Sequence, residues 1–141
     1  MKVAIVGTSN LTKEEEKTVR EICNHILKTA REVSDEEITL ISGGADGVDS
    51  VAVETATKLG HGSIEIMPTE RSWRSYKKRN MQIAKQCEEL YCITTPVKHK
   101  KCYHHTPEQD HEKTAGCWTM NHAIMLGKPC KLLITTLKLN Q

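Results

Sequence analysis

Five short apolar runs, at residues 3–6, 38–41, 64–67, 90–93 and 131–134, alternate with stretches of helical periodicity along the whole chain. Each run is nearly continuous in apolar character, the pattern of a strand covered on both faces of a parallel sheet. The resulting order, β-α-β-α-β-α-β-α-β, predicts an α/β fold: a Rossmann-like, doubly wound, five-stranded parallel sheet flanked by helices, with right-handed crossovers. A chain of 141 residues suits one such domain spanning 1–141, with a Cys/His-rich loop at about 97–117.

The first helix is the most clearly marked. Thr12 and Glu15 stand at capping-box spacing, and Val19, Ile22, Cys23, Ile26, Leu27 and Ala30 then repeat at helical intervals to form one buried face. A second helix follows Asp46-Gly47, with Val48, Val51, Ala52, Ala56 and Leu59 inward. A third runs over about 76–87. A fourth follows Ala115-Gly116, carries Met120, Ala123, Ile124 and Leu126, and ends at Gly127 before Pro129.

The bulk numbers narrow the function classes. No apolar stretch approaches the roughly 20 residues of a spanning helix, and the apolar start at 3–6 runs straight into Gly7, so it reads as a strand and not a leader. A cytoplasmic protein without membrane contact is expected. Cys23, Cys87, Cys92 and Cys130 fall in apolar periodic segments and read as small buried hydrophobes. Twenty basic against 18 acidic side chains leave a net charge of +2, which offers no global attraction for nucleic acid.

In a doubly wound sheet the ligand sits beyond the carboxyl ends of the strands, so the loops there carry the functional weight. The first is Gly7-Thr8-Ser9-Asn10, where backbone N–H groups and hydroxyls can meet an anion. The second, Ser42-Gly43-Gly44-Ala45-Asp46-Gly47-Val48-Asp49, gives the backbone room to approach a ligand just where a helix N-terminus points. It is neither a GxGxxG fingerprint nor a Walker loop, and its bland alternative is a tight strand-to-helix turn. The third stretch, Trp73-Arg74-Ser75-Tyr76-Lys77-Lys78-Arg79-Asn80, offers cations for a phosphate and Trp73 for a base; Lys77 and Lys78 read as a solvated face.

These segments together resemble the SLOG superfamily, which includes the DNA-processing Smf family and the Lonely Guy phosphoribohydrolases, and within it the small single-domain members. The resemblance runs from Val3 to Ile134. It implies a Rossmann-like domain that binds nucleotides, their derivatives or nucleic acid. On this chain it marks Gly43, Gly44 and Asp49 as the first ligand loop, Arg79 as charged contact with Asn80 positioning backbone, and Gly116 with Thr119 as a second anion-binding helix start. The stretch Thr114-Ala115-Gly116-Cys117-Trp118-Thr119-Met120-Asn121 lacks the glutamate of the Lonely Guy PGGxGTxxE segment, which argues against that hydrolase chemistry. Asp46 stands where the DNA-processing proteins commonly have arginine.

The expected function is therefore binding or sensing of a nucleotide-like phosphate ligand by Gly7, Thr8, Ser9, Gly43, Gly44, Ala45, Asp49, Arg79, Asn80, Gly116 and Thr119. The alternative is an enzyme acting at an N-glycosidic bond, with Asp49, Glu70 or Asp110 as carboxylate; no catalytic residue is assigned. Nucleic acid is the minor reading, resting on Lys98, Lys100, Lys101 and Tyr103, and is not expected as a partner; homo-oligomerisation stays open. In the loop, Cys102, His105, His111 and Cys117, with His104 as substitute, form a candidate zinc quartet at irregular spacing.

Overall fold

The computed structural model, which describes residues 1–103 and 110–136, contains the alternating order the sequence predicts. It runs β1 (Lys2–Gly7), α1 (Lys13–Val33), β2 (Thr39–Ser42), α2 (Val48–Lys58), β3 (Gly62–Glu65), α3 (Trp73–Gln86), β4 (Glu89–Thr94), α4 (Ala115–Met125) and β5 (Cys130–Ile134). All the strand pairings in the sheet are parallel, in the order β3-β2-β1-β4-β5. None of the described helices is long and apolar enough to cross a membrane.

Side-chain alternation along β1 divides the core in two. Val3 and Ile5 join Leu40 and Ile93 under the apolar faces of α1 and α2. Ala4 and Val6 join Ile41, Leu90 and Cys92 under α3 and α4. Helix α1 buries the predicted residues, and its capping box is closed in both directions: Glu15 N–H donates to Thr12 Oγ1 at 3.1 Å and Thr12 N–H to Glu15 Oε1 at 2.9 Å. Helix α3 starts earlier than its apolar pattern suggests, because the Ser72 hydroxyl accepts from Ser75 N–H and caps it.

Three details add to or correct the sequence reading. The third strand lies at Gly62–Glu65, two residues early, and is exposed along its length, because it forms the sheet edge beyond β2. On α4, Ile124 and Leu126 are exposed, since only the stripe through Gly116, Cys117, Met120 and Ala123 meets the sheet. Cys130 is half-buried, whereas Cys23, Cys87 and Cys92 are buried as read.

The start of α4 is pressed against the end of β1. A Cβ at Gly116 would stand 2.8 Å from the Gly7 nitrogen and 2.9 Å from its Cα, and neither backbone atom can swing away. Gly116→Ala is therefore expected to lower the unfolding free energy by about 1–3 kcal/mol, the usual cost of overpacking. Gly62→Ala, where a Cβ would meet nothing within 4 Å, should stay within about 0.5 kcal/mol of wild type. Urea denaturation of the pair checks both.

Candidate functional site

Strand order reverses between β1 and β4, so the loops that follow these two strands diverge to opposite faces of the sheet and leave a cleft at their carboxyl ends. A cavity of about 590 Å³ occupies it. The β1–α1 loop forms its floor. There Thr8 is buried, its N–H donates to the Ile93 carbonyl, and its hydroxyl lies 3.3 Å from that of Thr94. Ser9 and Asn10 reach the cavity beside it.

Helix α3 supplies one side. Trp73, Tyr76, Asn80 and Ile83 recur at helical spacing along one stripe and line the cavity. Trp73 meets Trp118 edge to face at 5.9 Å between ring centres. Asn80 is almost wholly buried; its Oδ1 accepts from Arg79 Nε at 2.7 Å, while its Nδ2 makes no hydrogen bond among the described residues. A buried amide donor left in this way is costly unless an acceptor meets it.

Arg79 lines the same wall, but its charge is turned toward the glycine turn. Nη1 donates to the Gly43 carbonyl at 2.6 Å, and the guanidinium lies 5.9 Å from the Tyr76 ring centre. Across that turn Asp49 is buried at the start of α2. Its Oδ2 accepts from Ala45 N–H at 3.2 Å and its carboxylate also takes the Gly43 N–H. Burial raises the Asp49 pKa to about 6, although both backbone donors and Arg79 oppose the rise.

The far side is a strap returning from β4. Residues 100–102 pair antiparallel with 111–113, with Cys102 N–H donating to His111 O at 3.0 Å and Lys113 N–H to Lys100 O at 2.7 Å. The Glu112 carboxylate accepts from the backbone N–H groups of Lys98, His99 and Lys100. Those donors hold the acid below its usual pKa. Lys98 is ion-paired to Glu15 at 2.6 Å and Lys101 to Asp110 at 3.2 Å. The basic-aromatic patch around Tyr103 is thus partly neutralised from within. Helix α4 then begins at the cavity with Ala115, Gly116 and Thr119 on the wall, and Thr114 caps it by accepting from Cys117 N–H.

Of the residues singled out in the sequence, Gly7, Thr8, Ser9, Ala45, Asp49, Arg79, Asn80, Gly116 and Thr119 line this one cavity. Gly43 and Gly44 stand behind the wall. Gly43 receives Arg79, and Gly44 takes φ +70° where a Cβ would strike the Met67 sulfur. Tyr76, His99 and Lys113 join the wall without having been named as ligand groups, and Lys98 joins it from the basic-aromatic patch of the minor nucleic-acid reading. Tyr76 was findable, three residues from Trp73 and four from Asn80 on one helical stripe.

Next to the cavity lies a buried cluster. Ligand atoms of Cys102, His111 and Cys117 all fall within 4.8 Å of one another. His104 and His105, the other residues considered for the zinc quartet, lie outside the described residues. Cys92, read as a small hydrophobe, packs in one cluster with Cys102 and Cys117. The neighbouring Cys92 holds the Cys117 thiol below the usual thiol range against the effect of burial, with Thr114 and His111 helping, while Cys117 and burial push Cys92 well above that range.

The model of the DNA recombination-mediator protein A family matches residues 1–110, and the chain belongs to that family, in keeping with the SLOG resemblance. The fold is similar to DNA processing protein A (DprA) from Streptococcus pneumoniae, at a TM-score of 0.68 and 17% identity over 97% of this chain and 51% of that one. It is also similar to DNA processing protein A from Helicobacter pylori, at 0.66 and 18% over 98% of this chain and 67% of that one. A third similar structure is the protein TM1055, at 0.64 and 18% over 92% of this chain and 71% of that one. The chain thus spans about half the length of the S. pneumoniae protein. No curated protein sequence matches it.

Family membership corrects one expectation. Nucleic acid was set aside as a partner on the net charge of +2 and on Asp46, yet the chain belongs to a DNA recombination-mediator family, and the H. pylori relative is described as binding single-stranded DNA. Net charge is a sum over the whole surface. It does not report a recessed cleft where helix starts, an uncommitted amide donor and a few cations converge.

The raised Asp49 pKa sets a pH signature. Between its unfolded value of 3.8 and its folded value of about 6, the folded chain keeps a proton that the unfolded chain releases, so this contribution is present below the window and is lost as pH rises through it. Asp49→Asn does not titrate there. The variant should match wild type near pH 4 and exceed it by on the order of 2 kcal/mol at pH 7.5, measured by urea unfolding at both pH values.

Proposed function

We propose that this chain binds single-stranded nucleic acid, seating a backbone phosphate and its nucleotide in the cavity at the carboxyl edge of the sheet. The observation that carries the reading is the buried, uncommitted Nδ2 of Asn80 on the cavity wall. A phosphate or base oxygen is the acceptor that such a donor fits. The starts of α2 and α4 add partly positive ends to the same space. Trp73 and Tyr76 offer faces on which a base can stack. A cavity of about 590 Å³ lies in the size range of small-ligand sites, and so suits a splayed nucleotide of a single strand and not a stacked duplex. Membership in the recombination-mediator family and the single-stranded DNA bound by the H. pylori relative point the same way.

A free nucleotide or nucleotide derivative is the second reading, favoured by the recessed position of the site. Cleavage of an N-glycosidic bond has less support. The wall carboxylates are both engaged, Asp49 by Ala45 and Gly43 and Glu112 by three backbone donors of the strap.

The Cys102–His111–Cys117 cluster is read separately, as a structural zinc site. Thiolate and imidazole are the ligands that zinc prefers.

Fluorescence anisotropy with a labelled oligothymidylate tests the main reading. Affinity should fall steeply between 50 and 200 mM salt, as counterion release requires. Asn80→Asp keeps the acceptor for Arg79 Nε but faces the phosphate with an oxygen, and should weaken binding at least about 10-fold, the loss of a hydrogen bond to a charged group. A thymidine mononucleotide that displaces the oligomer only at millimolar concentration favours the strand, whereas displacement at micromolar concentration favours the free nucleotide. Unchanged affinity in Asn80→Asp would move the site elsewhere.

A further inference from the structure

The zinc reading of Cys102, His111 and Cys117 leaves one corner of a tetrahedron open. Zinc bound at about 2.3 Å from sulfur and about 2.0 Å from nitrogen sets neighbouring ligand atoms roughly 3.3–3.8 Å apart. The three ligand atoms already lie within 4.8 Å of one another, so small side-chain rotations bring them to bonding geometry. They come from separate pieces of chain: Cys102 and His111 face each other across the strap, joined by the Cys102 N–H to His111 carbonyl bond, and Cys117 sits in the first turn of α4. All three are buried, so the ion would be shielded from water, as in closed structural sites.

We infer that Cys92 supplies the fourth ligand, making a Cys3His zinc centre that pins the strap and the start of α4 to the middle of the sheet. Cys92 lies on β4, between its partners Val6 on β1 and Leu132 on β5. Its side chain points to the α3–α4 face, where it packs in one cluster with Cys102 and Cys117. It is fully buried, its thiol interacts electrostatically with those of Cys117 and Cys102, and its sulfur, which stands outside the group within 4.8 Å, would turn inward to reach the ion. Three thiols and an imidazole gathered in an apolar core are a donor set for a borderline-soft ion, and calcium and magnesium, which take oxygen, do not suit it. The strap carries Lys98, His99, Glu112 and Lys113 of the cavity wall, so the ion would hold that wall in place without touching the ligand.

This inference rests on the zinc reading, and one measurement separates the two. Zinc-edge X-ray absorption on the full chain, expressed with zinc and purified without an affinity tag, should find one zinc per chain with three sulfurs and one nitrogen. One zinc with two sulfurs would overturn Cys92 as ligand and leave the zinc reading standing; zinc well below one per chain would overturn both. Cys92→Ser should weaken zinc binding by more than the about 10–100-fold that loss of an outer-shell partner costs, and Cys130→Ser should not. Zinc lost in His105→Ala but retained in Cys92→Ser would also overturn the assignment. Chelation should open Lys100, Lys101 and Lys113 to trypsin in the wild-type chain; a cleavage pattern that chelation leaves unchanged would overturn the pinning role.

Discussion

The parallel register of β1 against β4, from Val3 beside Glu89 to Gly7 beside Ile93, is the constraint on which the rest of the molecule depends. It places the strand-order reversal in the middle of the sheet, and the loops after those two strands must part there. It also brings the end of β1 under the start of α4, where Gly116 rests on Gly7 with no space for a side chain. A cleft between diverging loops is therefore a product of connectivity before any residue is chosen to line it. The lining then differs by origin. The β1–α1 loop and the α4 start are set by backbone packing, while α3 contributes a stripe of side chains, Trp73, Tyr76 and Asn80, fixed by helical geometry.

Periodicity made the fold legible. Alternation along β1 separates Val3 and Ile5 from Ala4 and Val6, and the spacing from Val19 to Ala30 describes the buried face of α1 residue by residue. The edge position of β3 was not legible, because a run containing Ile64 and Ile66 looks alike in the middle and at the rim of a sheet. Much of the candidate site could also be read, since ligand loops follow strands in this class of fold. What could not be read was the task of each residue. Gly43 and Gly44 read as ligand contacts, and the sequence did not show that Arg79 and Met67, far along the chain, come to rest against them. Cys92 showed itself as inward-facing, but only the return of the strap puts Cys117 beside it.

The cavity and the cysteine cluster are two uses of one segment. The described residues between Thr95 and Gly116 line the cleft on one side and enclose the sulfur-rich pocket on the other, with the Glu112 carboxylate gathering the N–H groups of Lys98, His99 and Lys100 between them. The lysines Lys98 and Lys101 spend their charge on Glu15 and Asp110 within the fold, so formal charge overstates what this segment presents to a partner at long range.

Glu15 has a consequence beyond its helix. One carboxylate oxygen, Oε1, accepts both the Thr12 N–H that closes the cap of α1 and the Lys98 ammonium from the strap. A segment near the amino end and one some 80 residues later therefore share a single fastening. Variation at the two ends is unequal: replacing Lys98 removes one tie of the strap, whereas replacing Glu15 removes that tie and frays the helix as well. Glu15 is accordingly the less substitutable of the two, although it lies outside the cavity.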